Sequence, residues 1–173
     1  MERLRTVLVV GDGKCSYPEL SEPVGKLLAQ SQVNLLTGAG GGVMAEVSKF
    51  FVNSTARRGK CLGVVPSKTN SHEPKDERYP NEFVEVPIYT HLGGEDPYSS
   101  TSRNHVNVLT ADGVVALPGK KGTLAEINLA ITYGVPRVAF LGGNQIPGLP
   151  KEVEVVDLKR LKEFVRELPK RRP

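Results

Sequence analysis

The sequence predicts an α/β fold: a Rossmann-like, doubly wound parallel sheet of about six or seven strands with helices on both faces. Three observations predict it. Short β-branched runs alternate with stretches of helical periodicity along the chain. The runs Val7-Leu8-Val9-Val10, Gly113-Val114-Val115-Ala116-Leu117 and Val138-Ala139-Phe140-Leu141 are near-continuously apolar, as strands buried on both faces are. Strand ends run into glycines that open the next helix, the spacing of parallel βαβ units. At 173 residues the chain is sized for one domain, read as residues 1–168, with a basic tail at 169–173.

The elements follow in order. Thr6 to Val10 reads as a buried strand ended by Gly11-Asp12-Gly13. Tyr17, Leu20, Val24, Leu27 and Leu28 then share one helical face. That helix starts either at Pro18, bending at Pro23, or near Ser21 with Pro23 in its first turn. Val33 to Leu36 is the second strand, and Gly38-Ala39-Gly40-Gly41-Gly42 a tight glycine loop. Val43, Val47, Phe50 and Phe51 mark a second helix, and Cys61 to Val65 a third strand. Residues 67–82 are polar and aperiodic, a length of loop that is often functional, here a flap over the cleft. Phe83 to Ile88 is a strand, Gly93 to Ser100 a loop, and Ser102 to Leu109 a helix. Gly113 to Leu117 leads into the second glycine loop, Pro118 to Gly122. Leu124, Ile127, Ile131 and Gly134 give the next helix, Pro136 to Leu141 a strand, Val153 to Val156 another, and Leu158 to Leu168 an amphipathic helix.

Composition narrows the function. Aromatics make up 6% and tryptophan is absent, which argues against a base-stacking nucleic-acid platform. The net charge is +4. Eight basic and five acidic residues fall between Lys151 and Pro173, so three of those charges lie there, with Lys170, Arg171 and Arg172 at the end. This reads as a solvated tail rather than a DNA-binding arm. Cys15 and Cys61 form no metal-binding pair, and His72, His91 and His105 are scattered, so no metal site is read. No signal segment or membrane-spanning run is read, and the expected compartment is cytoplasmic.

In open parallel sheets ligands bind beyond the carboxyl ends of the strands. Both glycine loops fall there. A strand that ends in glycines and opens into a helix offers free backbone N–H groups and a positive dipole end, suited to phosphate. Gly11-Asp12-Gly13-Lys14-Cys15-Ser16 is a near miss to the dinucleotide fingerprint, but the second strand closes without the acidic residue that would hold a ribose. Gly119-Lys120-Lys121-Gly122-Thr123 has the ingredients of a Walker loop in the wrong order. What remains is a phosphate-bearing, nucleotide-type ligand held by Gly11, Gly13, Gly40, Gly41, Gly42, Val43 and Met44 on one side. Pro118, Gly119, Lys120, Lys121, Gly122 and Thr123 hold it on the other, with Ser102, Arg103 and Asn104 upstream.

At the loops 38–44 and 118–126, with Ser102-Arg103-Asn104 between them, the sequence resembles the LOG-type proteins, once labelled lysine decarboxylases, and the related molybdenum-cofactor carrier proteins. The resemblance spans roughly residues 5 to 142. The LOG resemblance implies hydrolysis of nucleoside 5′-monophosphates to free base and ribose 5-phosphate, with Arg103 and Glu126 catalytic and no cofactor required. A carboxylate there can stabilise the oxocarbenium character that develops on the ribose, and an arginine can hold the phosphate. The carrier resemblance implies binding of molybdenum cofactor without turnover. Lys120 replaces the usual second glycine of the loop. Asn104 stands where LOG enzymes carry lysine, and Arg-Asn and the Gly-Gly-Gly-Val-Met stretch are closer to the carrier branch. The decarboxylase label finds no pyridoxal site. The resemblance also implies a homo-dimer or homo-tetramer, with the exposed faces of the Arg103 and Glu126 helices as contact surfaces.

Each of these residues also has a plainer reading. Thr123-x-x-Glu126 at a helix start spells a capping box. Arg103 reads equally as a surface helix arginine, Gly40 to Gly42 as a tight turn, and Lys120 and Lys121 as solvated loop residues.

Overall fold

Thr6–Val10 (β1) is buried at all five positions, and its side chains divide between two cores. Val7 and Val9 pack into one and Leu8 and Val10 into the other, as alternation across a pleat requires. The computed structural model describes residues 3–68, 71–93 and 96–169. The basic cluster Lys170, Arg171 and Arg172 lies outside the described residues, as do positions 94–95 of the loop after β4.

The remaining elements are Pro18–Gln30 (α1), Asn34–Thr37 (β2), Val43–Val52 (α2), Cys61–Val65 (β3), Val86–Tyr89 (β4), Asn104–Thr110 (α3), Gly113–Ala116 (β5), Lys121–Thr132 (α4), Arg137–Ala139 (β6), Glu154–Val155 (β7) and Leu158–Glu167 (α5). They form one sheet in the order β4-β3-β2-β1-β5-β6-β7, with every pairing parallel. The predicted Rossmann-like α/β arrangement is therefore present, with seven strands among the described residues. Residues of α1, α2 and α5 build one core with Phe51, Leu161 and Phe164. Residues of α3 and α4 build the other with Val108, Ile127 and Ala130.

The strand order reverses at β1. The chain winds outward from β1 through β4, then returns to lay β5 against the other side of β1. The loops leaving β1 and β5 diverge there, and such a switch point opens the crevice in which ligands bind.

Several boundaries differ from expectation, each for a local reason. α1 begins at Pro18 and runs through Pro23, the first of the two predicted alternatives. A proline at the first helical position loses no bond that the helix would have made. β4 starts at Val86 rather than Phe83, because the amides of Phe83 and Val84 turn back onto Asn81. β7 shortens to two residues because Val153 N–H bonds Pro150 O in a turn. The helix predicted from Ser102 starts at Asn104, after the Ser102 side chain accepts the Asn104 amide at 3.2 Å. No helix of the described residues is long and apolar enough to cross a membrane.

Candidate functional site

Three backbone contacts bring the two predicted loops together at the switch point. Asp12 N–H donates to Pro118 O at 2.9 Å, joining the loop after β1 to the loop after β5. Val43 N–H donates to Asp12 O at 2.9 Å, joining it to the glycine loop after β2. Asn81 extends the arrangement to the 67–82 segment. Its amide N–H bonds Ala39 O at 2.8 Å and its side chain bonds Gly40 O at 2.8 Å.

These contacts frame a cleft of about 410 Å³, a size suited to a small-molecule ligand. Of the predicted residues, Gly11, Gly13, Met44, Arg103, Asn104, Lys120, Gly122, Thr123 and Glu126 line it. Gly40, Gly41, Gly42, Val43, Ser102, Pro118, Gly119 and Lys121 are not among its lining residues, and most have a structural task instead. A Cβ on Gly42, whose φ is +58°, would collide with Asp12 O, so this glycine permits the loop-to-loop contact. A Cβ on Gly119 would collide with the Thr123 hydroxyl. Pro118 is the acceptor for Asp12, and Ser102 caps the amide of Asn104.

The cleft also holds residues given no site role in the sequence: Gly38, Arg78, Tyr79 and Pro97, together with Asp12 and Lys14 of the first loop. Arg78 and Tyr79 come from the aperiodic 67–82 segment. Arg78 is fixed by a two-point pair to Asp76, at 2.8 and 2.7 Å.

Asp12 organises the side of the cleft where the loops after β1 and β5 meet. Its Oδ1 accepts the amides of Lys14 and Cys15 at 2.7 and 3.0 Å. Its Oδ2 lies 3.5 Å from Lys120 Nζ. Burial pushes the Asp12 carboxyl up, but the two amides and the Lys120 charge outweigh it and leave the group below its ordinary value. The lysine that replaces the expected second glycine is thus tethered beside the cleft by an ionised partner. The first α4 hydrogen bond is Leu124 N–H to Lys120 O. The amides of Lys121, Gly122 and Thr123 therefore have no acceptor among the described residues, and the positive end of the helix dipole sits beside Lys120.

Two plainer readings are corrected here. α4 begins at Lys121, which makes Thr123 its third residue, and no side chain caps the helix start. Glu126 therefore makes no capping box. It turns to the cleft, where Asn107 Nδ2 donates to its Oε1 at 2.8 Å. Burial raises the Glu126 pKa, against the pull of the Arg103 charge and the Asn107 hydrogen bond. Arg103 is no surface arginine, being 8% exposed. Its Nη1 donates to Gly38 O at 2.6 Å and Val64 O at 2.7 Å, at the carboxyl ends of β2 and β3. A Cβ on Gly38 would strike the guanidinium, so the glycine makes room for it.

The raised Glu126 pKa has a consequence for stability. Above the ordinary value of 4.5, the native state keeps this proton over a range in which the unfolded chain has lost its own. The residue's contribution to stability is thus full below that value and declines as pH rises through the native pKa. Glu126→Gln imitates the protonated form and keeps an acceptor for Asn107. Its melting temperature should exceed that of the parent at about pH 8, with the gap closing toward about pH 4. A variant that melts below the parent at the higher pH would refute this account.

The pattern of relatives agrees with the fold. The SLOG cluster4 family matches residues 4–163. The chain belongs to this family. It is 29% identical over 141 residues to an uncharacterized protein from Archaeoglobus fulgidus, covering 80% of this chain and 81% of that one. Among solved structures it resembles the molybdenum cofactor carrier protein from Chlamydomonas reinhardtii, at TM-score 0.74 and 27% identity over 96% of this chain and 98% of that chain. It also resembles the molybdenum cofactor binding protein from Rippkaea orientalis, at TM-score 0.69 and 24% identity over 96% of both chains, a likeness of fold. Both groups that the sequence resembled are thus represented.

Proposed function

We propose that this SLOG cluster4 protein binds molybdenum cofactor, or a closely related phosphorylated pterin, in the switch-point cleft as cargo that it does not turn over. The observation that carries this reading is the engagement of Arg103. Its Nη1 is committed to the Gly38 and Val64 carbonyls, so it serves as a fixed positive wall of the cleft. The phosphate end of the cargo meets the open amides of α4 and the ammonium of Lys120, with Lys14 across the first loop. Met44, Tyr79 and Pro97 supply an apolar side for a flat ring system. Asp12 and Glu126 are left to face ring N–H groups.

Nucleotide hydrolysis is the second reading, favoured by the position of Glu126 in the cleft with Asn107 orienting it.

One experiment separates the two. Purified protein is mixed with molybdenum cofactor and, in parallel, with a panel of nucleoside 5′-monophosphates. The carrier reading expects cofactor to co-elute with the protein on gel filtration and every nucleotide to be recovered intact. Free base and ribose 5-phosphate, lost in Glu126→Gln, would replace it with the hydrolase.

A further inference from the structure

Arg78 lines the cleft, and its own bonds define what it can do there. Its Nε and Nη2 donate to the two oxygens of Asp76 at 2.8 and 2.7 Å, which uses the side edge of the guanidinium. The end edge, made by Nη1 and the second N–H of Nη2, has no hydrogen-bond partner among the described residues.

The turn that carries Arg78 is fixed at both ends. Arg78 N–H donates to Asp76 Oδ1 at 3.0 Å and Tyr79 N–H to Asp76 O at 3.2 Å. Asn81 clamps the far end onto Ala39 and Gly40 of the loop after β2. The Arg78 hydrogen bonds hold the Asp76 carboxyl down to about 2, so the fork persists throughout the neutral range. An exposed ion pair adds little stability. Its consequence here is orientation, because a guanidinium already set in place loses little freedom on meeting a ligand.

The neighbours of Arg78 suit a flat ring. A Cβ on Gly40 would lie 2.9 Å from Met44 Cε and 3.1 Å from Tyr79 Cε1, so the bare glycine lets both side chains converge beside the cleft that they line. The loop after β2, where this segment is anchored, stands two strands from the loop after β5. That is about 10 Å at the usual strand spacing, room for a ring to extend away from a phosphate at the start of α4.

Two parallel N–H groups recognise two adjacent acceptors. Guanine offers O6 and N7 in this way and arginine is a common partner, whereas adenine puts an amino donor in the place of O6. An oxidised pterin carries the same pattern in its 4-oxo group and N5, and the oxo group accepts in oxidised and reduced rings alike. We propose that the free edge of Arg78 reads the 4-oxo edge of the bound ring and makes the cleft select oxo-heterocycles over their amino counterparts. This specificity role rests on the reading that the cleft takes a phosphorylated pterin.

The test uses 6-hydroxymethylpterin phosphate and its 2,4-diamino counterpart, titrated by pteridine fluorescence at mildly alkaline pH, where the diamino ring is uncharged. In Arg78→Ala the ratio of oxo to amino affinity should fall by about 5- to 150-fold, the worth of one good bidentate pair. Arg78→Lys keeps the charge without the fork and should lose most of the same preference. Both variants should melt with the parent, since the Arg78 side chain is 71% exposed. A general charge effect would weaken both ligands alike. A ratio unchanged in Arg78→Ala would thus overturn the role of Arg78 while leaving the pterin in the cleft. If neither pteridine binds the parent, the underlying reading falls and this inference falls with it.

Discussion

Replacing Arg103 with alanine should lower the melting temperature by about 10 °C, a large effect for one residue. The guanidinium ties β2 to β3 through the carbonyls of Gly38 and Val64. Removing it leaves two buried acceptors without donors, each costing about 1–3 kcal/mol, and opens a void under Tyr79. The sum is about 3–5 kcal/mol, and each kcal/mol shifts the melting point by about 2–4 °C at this chain length. The Tyr79 ring, 5.9 Å from the guanidinium carbon, loses its support on the cleft side. Arg103→Lys keeps a charge but not the planar fork. It should fall between parent and alanine variant in a urea or thermal melt. An alanine variant that melts within 2 °C or so of the parent would mean that the two carbonyls find water.

This double role explains why Arg103 was half legible in the sequence. Its neighbourhood pointed to the site, but nothing in a local pattern tells that its partners lie just past the end of β2 and in β3, 65 and 39 residues away. Other parts were readable because they depend on local chemistry. The fully buried β1 and β5 show as unbroken apolar runs, and the loops that follow them show as glycine punctuation. The edges were less legible. β4 is exposed at Val86 and Tyr89, so its pattern carries little core signal, and a turn around Asn81 decides where it starts.

The cleft residues divide along the same line. Glu126 spelled a capping box with Thr123, and only the true start of α4 at Lys121 frees it to face Asn107. Arg78 and Tyr79 lie in a segment with no periodicity, where the deciding contact is the bond from the Asn81 side chain to Gly40 O. Lys120 was noticed as a departure from the glycine pattern. Its counterpart Asp12, over a hundred residues earlier in the chain, is found only once the loops of β1 and β5 are side by side.

The glycines give the sharpest separation between structure and binding. Gly42→Ala should be among the most damaging single-methyl additions in the molecule. Its φ of +58° with ψ of −130° is a conformation left almost wholly to glycine, and the strain for alanine is about 1–3 kcal/mol. The new Cβ also meets Asp12 O and lies 2.7 Å from both Gly13 C and Lys14 N. These are backbone atoms that cannot rotate away, and overpacking of that kind adds about 1–3 kcal/mol. The loops of β1 and β2 must then part, so stability and ligand affinity fall together. Gly122→Ala is the counterpart. It lines the cleft, and its Cβ would meet nothing within 4 Å. Alanine inside a helix is favoured over glycine by up to about 1 kcal/mol. This variant should melt at or above the parent temperature yet bind the proposed phosphorylated ligand more weakly, because the methyl group stands beside the open amides of α4. Parallel melts and ligand titrations of both variants decide the matter. If Gly122→Ala binds as tightly as the parent, the ligand does not approach the α4 terminus and the phosphate must be placed elsewhere in the cleft.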